Sequence, residues 1–112
     1  RVARMLNQAA AAILVCGDLD RAFPPAPDFW VIDAAIAAQN MTLAANDLGI
    51  GSVWLGTWPD EKRVKRQAAI FQLPETIVPH SILALGYPAE DIDMRAVRPS
   101  RYEENRVHVN QW

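Results

Sequence analysis

The sequence holds a single cysteine, Cys16, so no disulfide can form within the chain. Because structural disulfides belong to oxidising compartments, this favours a reducing, cytoplasmic setting. No charged-then-apolar leader precedes Cys16, which points the same way. Neither sign of charge is in large excess, with 13 acidic and 11 basic residues. The net charge of -2 argues against a general affinity for nucleic acid or anionic lipid. No apolar run is long enough to cross a bilayer: the most apolar stretch, residues 29–48, is interrupted by Asp33, Gln39, Asn40, Asn46 and Asp47. The two histidines, His80 and His108, lie far apart and lack cysteine or carboxylate at ligand spacing, so no metal site is expected. Ser52 and Ser100 stand outside any nucleophile-elbow context, and no hydrolase is read from them. A start methionine is also missing. The chain opens on Arg1 and runs straight into helix-like sequence, from which an absent N-terminal portion is expected.

What is present is globular. Hydrophobic residues make up 51% and charged residues 21% of 112, the balance of one folded domain over residues 1–112. A core of that size gives modest stability unless a partner or cofactor buries more surface. "AAAAILVCGD", residues 9–18, has the β-branched and apolar run Ile13, Leu14, Val15 and closes on the turn pair Gly17-Asp18; it reads as a buried strand. In that setting Cys16 is a small hydrophobe rather than a redox centre. "RAFPPAP" is a proline-stiffened loop, after which Asp28 is placed to cap a helix over residues 29–48, with Gly49 as its left-handed stop.

That helix decides the architecture. Its apolar residues, Ala34, Ala35, Ile36, Ala37, Ala38, Met41, Leu43, Ala44, Ala45 and Leu48, go nearly all the way round. Such a helix must be covered on most sides. The rest of the chain is too short to do so, which makes a homodimer interface the expectation. Residues 52–55 read as a short strand and residues 60–70 as a surface helix, with Glu61, Lys62, Lys65 and Arg66 on its charged face and Val64, Ala68 and Phe71 as apolar positions. "HSILALGYP" reads as a second buried strand, and the tail "NRVHVNQW" alternates Val107 and Val109 with polar residues, the period of a half-exposed strand. "EDID", residues 90–93, reads as a solvated turn. The fold class is α+β, with a sheet that looks incomplete.

Taken in order, the alanine-rich helix, "LAANDLGIGSVWLG", the charged helix, "LPETIVPHSILALGYPAE", an arginine-containing loop and a final extended segment ending in "NQW" resemble the C-terminal half of the FMN-dependent nitroreductase family. The resemblance covers most of the chain, roughly from Ile13 onward. It implies an obligate homodimer of α+β subunits, each with a mixed sheet flanked by helices, a long central dimerisation helix and a C-terminal strand exchanged between subunits. It also implies two FMN molecules at the interface and NAD(P)H as electron donor, with ping-pong transfer to nitroaromatic or quinone-like acceptors. The chain departs from the family in lacking its arginine- and serine-rich phosphate-binding N-terminal segment.

Within that resemblance, two stretches are candidate cofactor-binding sites. In "NDLGIGSVWLGTWPDE", Gly49 and Gly51 serve the helix stop and the turn into the strand. The strand then delivers Leu55, Gly56 and Thr57 to its C-terminal end, where a residue without Cβ lets backbone approach a flat ring. The resembling family contacts the isoalloxazine there. Trp54 and Trp58 are equally explained as core or interface fillers. The second stretch, "MRAVRPSRYEENR", concentrates four of the nine arginines. A phosphate monoester suits the planar fork of arginine, and Arg98 and Arg101 align best with the family's phosphate-binding basic residues; Arg95 and Arg106 fit less well. No side-chain acid or base is expected to be catalytic. Two alternatives stay open: another flavin reaction of the superfamily, such as dehalogenation or flavin fragmentation, and a cofactor-free dimeric binding module derived from the same fold.

Overall fold

The computed structural model describes residues 2–93, Ala96 and residues 99–112. Three strands form one sheet: β1 (Ala11–Asp18), β2 (Gly51–Gly56) and β3 (Ile77–Gly86), in the order β1-β3-β2. β3 is central because its sequence can be. It is buried without a break from Pro79 to Ala84, and its apolar run, residues 82–85, suits a strand covered on both faces. β1 lies at an edge, and only Val15 and Gly17 are buried in it; Ala11, Ala12 and Ile13 are exposed, so the expected buried strand is a half-open one. Both pairings are antiparallel. Any parallel pairing of the expected mixed sheet therefore lies outside these three strands, and the outer edges of β1 and β2 are both unpaired among the described residues.

The long helix α1 spans Trp30–Asp47. It starts differently from expectation. Pro27 opens a short 3-10 turn, Pro27–Phe29, that feeds straight into α1, because the fixed φ of proline suits a first helical position. Asp28 is thus inside the turn, the cap position falls to Phe29, and no side chain caps the helix. The end is as expected. Gly49 takes φ +72°, the Ile50 N–H donates to Ala45 (2.8 Å) and the Gly49 N–H to Asn46 (3.1 Å), the paired bonds of a Schellman stop.

α1 is apolar on two opposite faces. Trp30, Ala34, Ala38 and Ala45 recur at helical spacing and are buried, the first three packing with Val15 and Leu83 on the sheet; Met41 is half-buried on the same face. Ile32, Ile36 and Leu43, at spacings of four and seven, share the opposite face and are exposed by 53%, 55% and 59%. The apparent all-round apolarity is therefore two stripes, of which this chain covers one. Of the alanines named above, Ala38 is in the core at 0% exposure, whereas Ala37 is exposed.

The second helix, α2 (Glu61–Ile70), begins where its cap predicts: Asp60 accepts from the N–H groups of Lys62 and Arg63. The tail after Glu104–Arg106, a single 3-10 turn, forms no strand within the chain. Val107 has extended backbone, and Val107, Val109 and Trp112 are exposed. The sequence alternates there, but among the described residues the tail pairs with no strand.

Candidate functional site

The C-terminal end of β2 is organised by a bulge in β3. Val15 pairs with Ser81 and Cys16 with Pro79, so His80 is an extra residue on β3. Bulges re-aim side chains and backbone. Here the His80 carbonyl accepts from both the Thr57 N–H (3.1 Å) and the Trp58 N–H (3.0 Å). The His80 ring turns toward α1, with centroids 6.0 Å from both Trp30 and Trp54, and its Nδ1 lies 3.2 Å from Ser81 Oγ. Burial lowers the pKa of this imidazole, favouring the neutral ring. Trp58 meets Trp30 edge-on at 5.1 Å. Trp30 is buried, while Trp54 and Trp58 are each partly exposed, so the filler reading holds for their inner edges only.

These contacts separate the three expected β2 residues. Leu55 is half-buried opposite Ile82. Thr57 is buried, and its Oγ1 donates its proton to Gln67 Oε1 of α2 (2.9 Å); with its N–H on His80, it anchors the strand end, both of its hydrogen-bond donors being engaged within the chain. Gly56 is different. It pairs with Ser81, and the Thr57-to-His80 bond makes that a non-hydrogen-bonded pair, so the N–H and C=O of Gly56 point to the open edge. A Cβ at Gly56 would meet nothing within 4 Å, which leaves room for a flat group to lie against the backbone.

Sequence reasoning missed Arg63, the one basic residue of α2 outside the expected charged face. Its Nη1 donates to the Gly56 carbonyl (3.0 Å), and its Nε pairs with Asp60 Oδ2 (3.1 Å). The Asp-x-x-Arg spacing signals the ion pair, but nothing in sequence signals a backbone carbonyl as the second partner.

The arginine cluster is not brought to this site by any described contact. Arg95 and Arg98 lie outside the described residues. Arg101 is exposed and makes no ion pair among the described residues, its neighbour Ser100 accepting from the Tyr102 N–H (3.1 Å). Arg106 is committed to Glu103 at 2.7 Å. Cys16 is half-buried, and burial raises its pKa, so the thiolate is disfavoured. Among the described residues no cluster of three or more His, Cys, Asp or Glu is arranged to hold a metal ion, and no helix is long and apolar enough to cross a membrane.

A three-stranded antiparallel sheet with a long helix on one face and an open glycine at a strand end defines an α+β domain with one apolar helix face left uncovered among the described residues. The chain belongs to the nitroreductase family: the profile of that family matches residues 3–87. A Methanothermobacter thermautotrophicus protein whose assigned name includes NAD(P)H nitroreductase is 41% identical over 96% of this chain and 53% of its own length. The crystal structure of a Bacteroides thetaiotaomicron protein with NAD(P)H nitroreductase in its name superposes with TM-score 0.84 at 38% identity, covering 100% of this chain and 61% of that one. An FMN-dependent nitroreductase from Clostridium difficile R20291 superposes with TM-score 0.75 at 28% identity, over 93% of this chain and 59% of that one. The fold is that of the nitroreductases. This chain spans between about half and three-fifths of these relatives.

Proposed function

We propose that this chain is the C-terminal part of an FMN-dependent oxidoreductase that takes electrons from NAD(P)H and works as a homodimer in the cytoplasm. The observation that carries the reading is Gly56: a backbone position at a strand end, free of side chain above it, with an N–H turned to an open edge, in a chain of the nitroreductase family. These features suit the edge of a flat, hydrogen-bonding ring. The similarity to a protein named FMN-dependent nitroreductase supports FMN as that ring.

The residues that would hold FMN are Leu55 and Gly56 at the isoalloxazine and Arg101 at the phosphate, with Arg98 as its partner; Thr57 contributes by fixing the strand end rather than by touching the ring. When bound, FMN supplies two-electron chemistry between a reduced nicotinamide and an acceptor of the nitroaromatic or quinone class, in a ping-pong sequence. The protein's own tasks are binding, orientation and exclusion of water. Gly56 gives the ring a close backbone approach, and the Thr57–Gln67 and Thr57–His80 bonds keep that backbone from shifting. A guanidinium such as that of Arg101 would neutralise the phosphate.

The uncovered stripe of Ile32, Ile36 and Leu43 supports the dimer. Three large apolar side chains in line on one helix face, opposite the core face, fit a second copy of α1. The edges of the sheet left unpaired among the described residues, and the exposed tail that starts with extended backbone at Val107, fit strand exchange between the copies. The absorbance spectrum of the complete gene product tests the reading. A yellow protein whose flavin is released as FMN on denaturation is expected; a colourless protein that stays free of flavin after incubation with excess FMN would overturn it and favour the cofactor-free dimeric module.

A further inference from the structure

We propose that Arg63 is a positioning residue for the flavin ring, occupying the Gly56 carbonyl so that the Gly56 N–H is the backbone group left to donate to the ring. The inference rests on the FMN reading above and adds the residue that selects between the two polar groups of Gly56.

The peptide between Gly56 and Thr57 is engaged at both ends. Its N–H, that of Thr57, donates to the His80 carbonyl (3.1 Å), and its C=O accepts from Arg63 Nη1 (3.0 Å). The N–H cannot turn to a ligand without breaking its bond; the carbonyl keeps a second lone pair, but with a guanidinium against it its negative end is neutralised. The Gly56 N–H belongs to the preceding peptide. Since Gly56 sits in a non-hydrogen-bonded pair with Ser81, that N–H points away from β3 to the open edge. Without Arg63, the carbonyl at the same edge would present an acceptor beside the donor, where the oxidised ring's own nitrogen and carbonyl acceptors would be repelled.

Asp60 makes Arg63 rigid enough for this. One carboxylate oxygen, Oδ1, accepts from the Lys62 and Arg63 backbone N–H groups (3.0 and 3.2 Å), and the other, Oδ2, holds Arg63 Nε (3.1 Å). The same side chain therefore caps α2 and orients the guanidinium. The fork of arginine spans carboxylate and carbonyl together; lysine has a single nitrogen and cannot reproduce that geometry. The ion pair itself is largely exposed, 63% on the arginine side and 46% on the aspartate side. Exposed pairs add little to folding stability, so the loss of Arg63 is expected to leave unfolding nearly unchanged.

The test uses the complete gene product and its Arg63→Met and Arg63→Lys variants. Dissociation constants for FMN and riboflavin are read from flavin fluorescence, alongside the visible spectrum of the bound flavin and thermal unfolding of the flavin-free protein. Expected for Arg63→Met is about a tenfold weakening of FMN and riboflavin alike, the scale of one charge-assisted hydrogen bond. The visible bands of the bound flavin should shift while unfolding of the flavin-free protein is unchanged, and Arg63→Lys should restore little of the affinity. Unchanged affinity and spectrum in Arg63→Met would overturn the proposal. So would a loss confined to FMN, which would make Arg63 a phosphate ligand, or a loss that tracks a lower unfolding temperature, which would make it structural. A wild-type protein that binds neither flavin removes the FMN reading itself, an outcome visible before any variant is made.

Discussion

Gly17 packs directly beneath Trp30. A Cβ at Gly17 would collide with indole Cε3 and lie 2.8 Å from Cδ2, so the first turn of α1 reaches the sheet only because β1 has no side chain there. The sequence pattern made Gly17 half of a turn pair; in the structure it is a strand residue that admits an aromatic ring. Gly17→Ala is expected to destabilise the protein by about 2 kcal/mol, as overpacking of a filled core does. Denaturant unfolding measures this, and combining the change with Trp30→Leu should recover part of the loss. Wild-type stability in Gly17→Ala alone would show that the contact does not constrain the fold.

α2 ends in a left-handed residue that is not glycine. Gln72 takes φ 52°, while the Leu73 N–H donates to Ala68 (2.9 Å) and the Gln72 N–H to Ala69 (3.3 Å), repeating the stop at Gly49. A Cβ in this region is strained. Gln72→Gly should stabilise the protein by about 1 kcal/mol, and Gln72→Val should destabilise it, both read from denaturation midpoints.

His80 gives stability a pH dependence of defined sign. Burial lowers its pKa in the native state, so as pH falls the unfolded chain binds the proton first. Stability should be unaffected well above the ordinary histidine value of about 6.5, decline as pH falls through it toward the lowered native value, and level off below. The ring lies against Trp30, Trp54 and Ser81, so His80→Phe keeps the aromatic packing while removing the titration. The difference in unfolding free energy between the two proteins, followed across that pH window, should show the slope. A constant difference would mean that His80 does not titrate on unfolding.

How far these features can be read from sequence depends on what each residue touches. The central strand is legible because an unbroken apolar run from Ile82 to Leu85 has one comfortable place in a small sheet, the middle. Gly49 is legible because glycine after an apolar helix has one common use. Gln72 makes the same stop without the residue that announces it. Thr57 reads as a ligand contact by its place after Gly56, yet the His80 bulge and Gln67, neither detectable by periodicity, turn it inward. The two-sided apolarity of α1 is legible as a need for cover; that Ala38 faces the sheet while Ile36 and Leu43 face outward depends on the position of Trp30 over Gly17.

Dimerisation through the outer face of α1 is tested at that face. Ile36→Glu combined with Leu43→Glu places charges at exposed positions, so the subunit fold should survive while association is lost. Light scattering at micromolar concentration should report a dimer for the wild type and a monomer for the double variant. A double variant that remains dimeric would move the interface elsewhere.

The complete protein is expected to bind FMN, with Gly56 at the ring and Arg101 at the phosphate. The direct measurement is the affinity of the complete gene product for FMN and for riboflavin, which lacks the phosphate, in the wild type and in Arg101→Ala. FMN should bind the wild type more tightly than riboflavin, and Arg101→Ala should weaken FMN by about 2 kcal/mol while leaving riboflavin nearly unchanged, because truncation leaves the phosphate without its cation. Discrimination between the two flavins that survives Arg101→Ala would contradict the phosphate assignment, and a wild-type protein that binds neither flavin would contradict the claim as a whole.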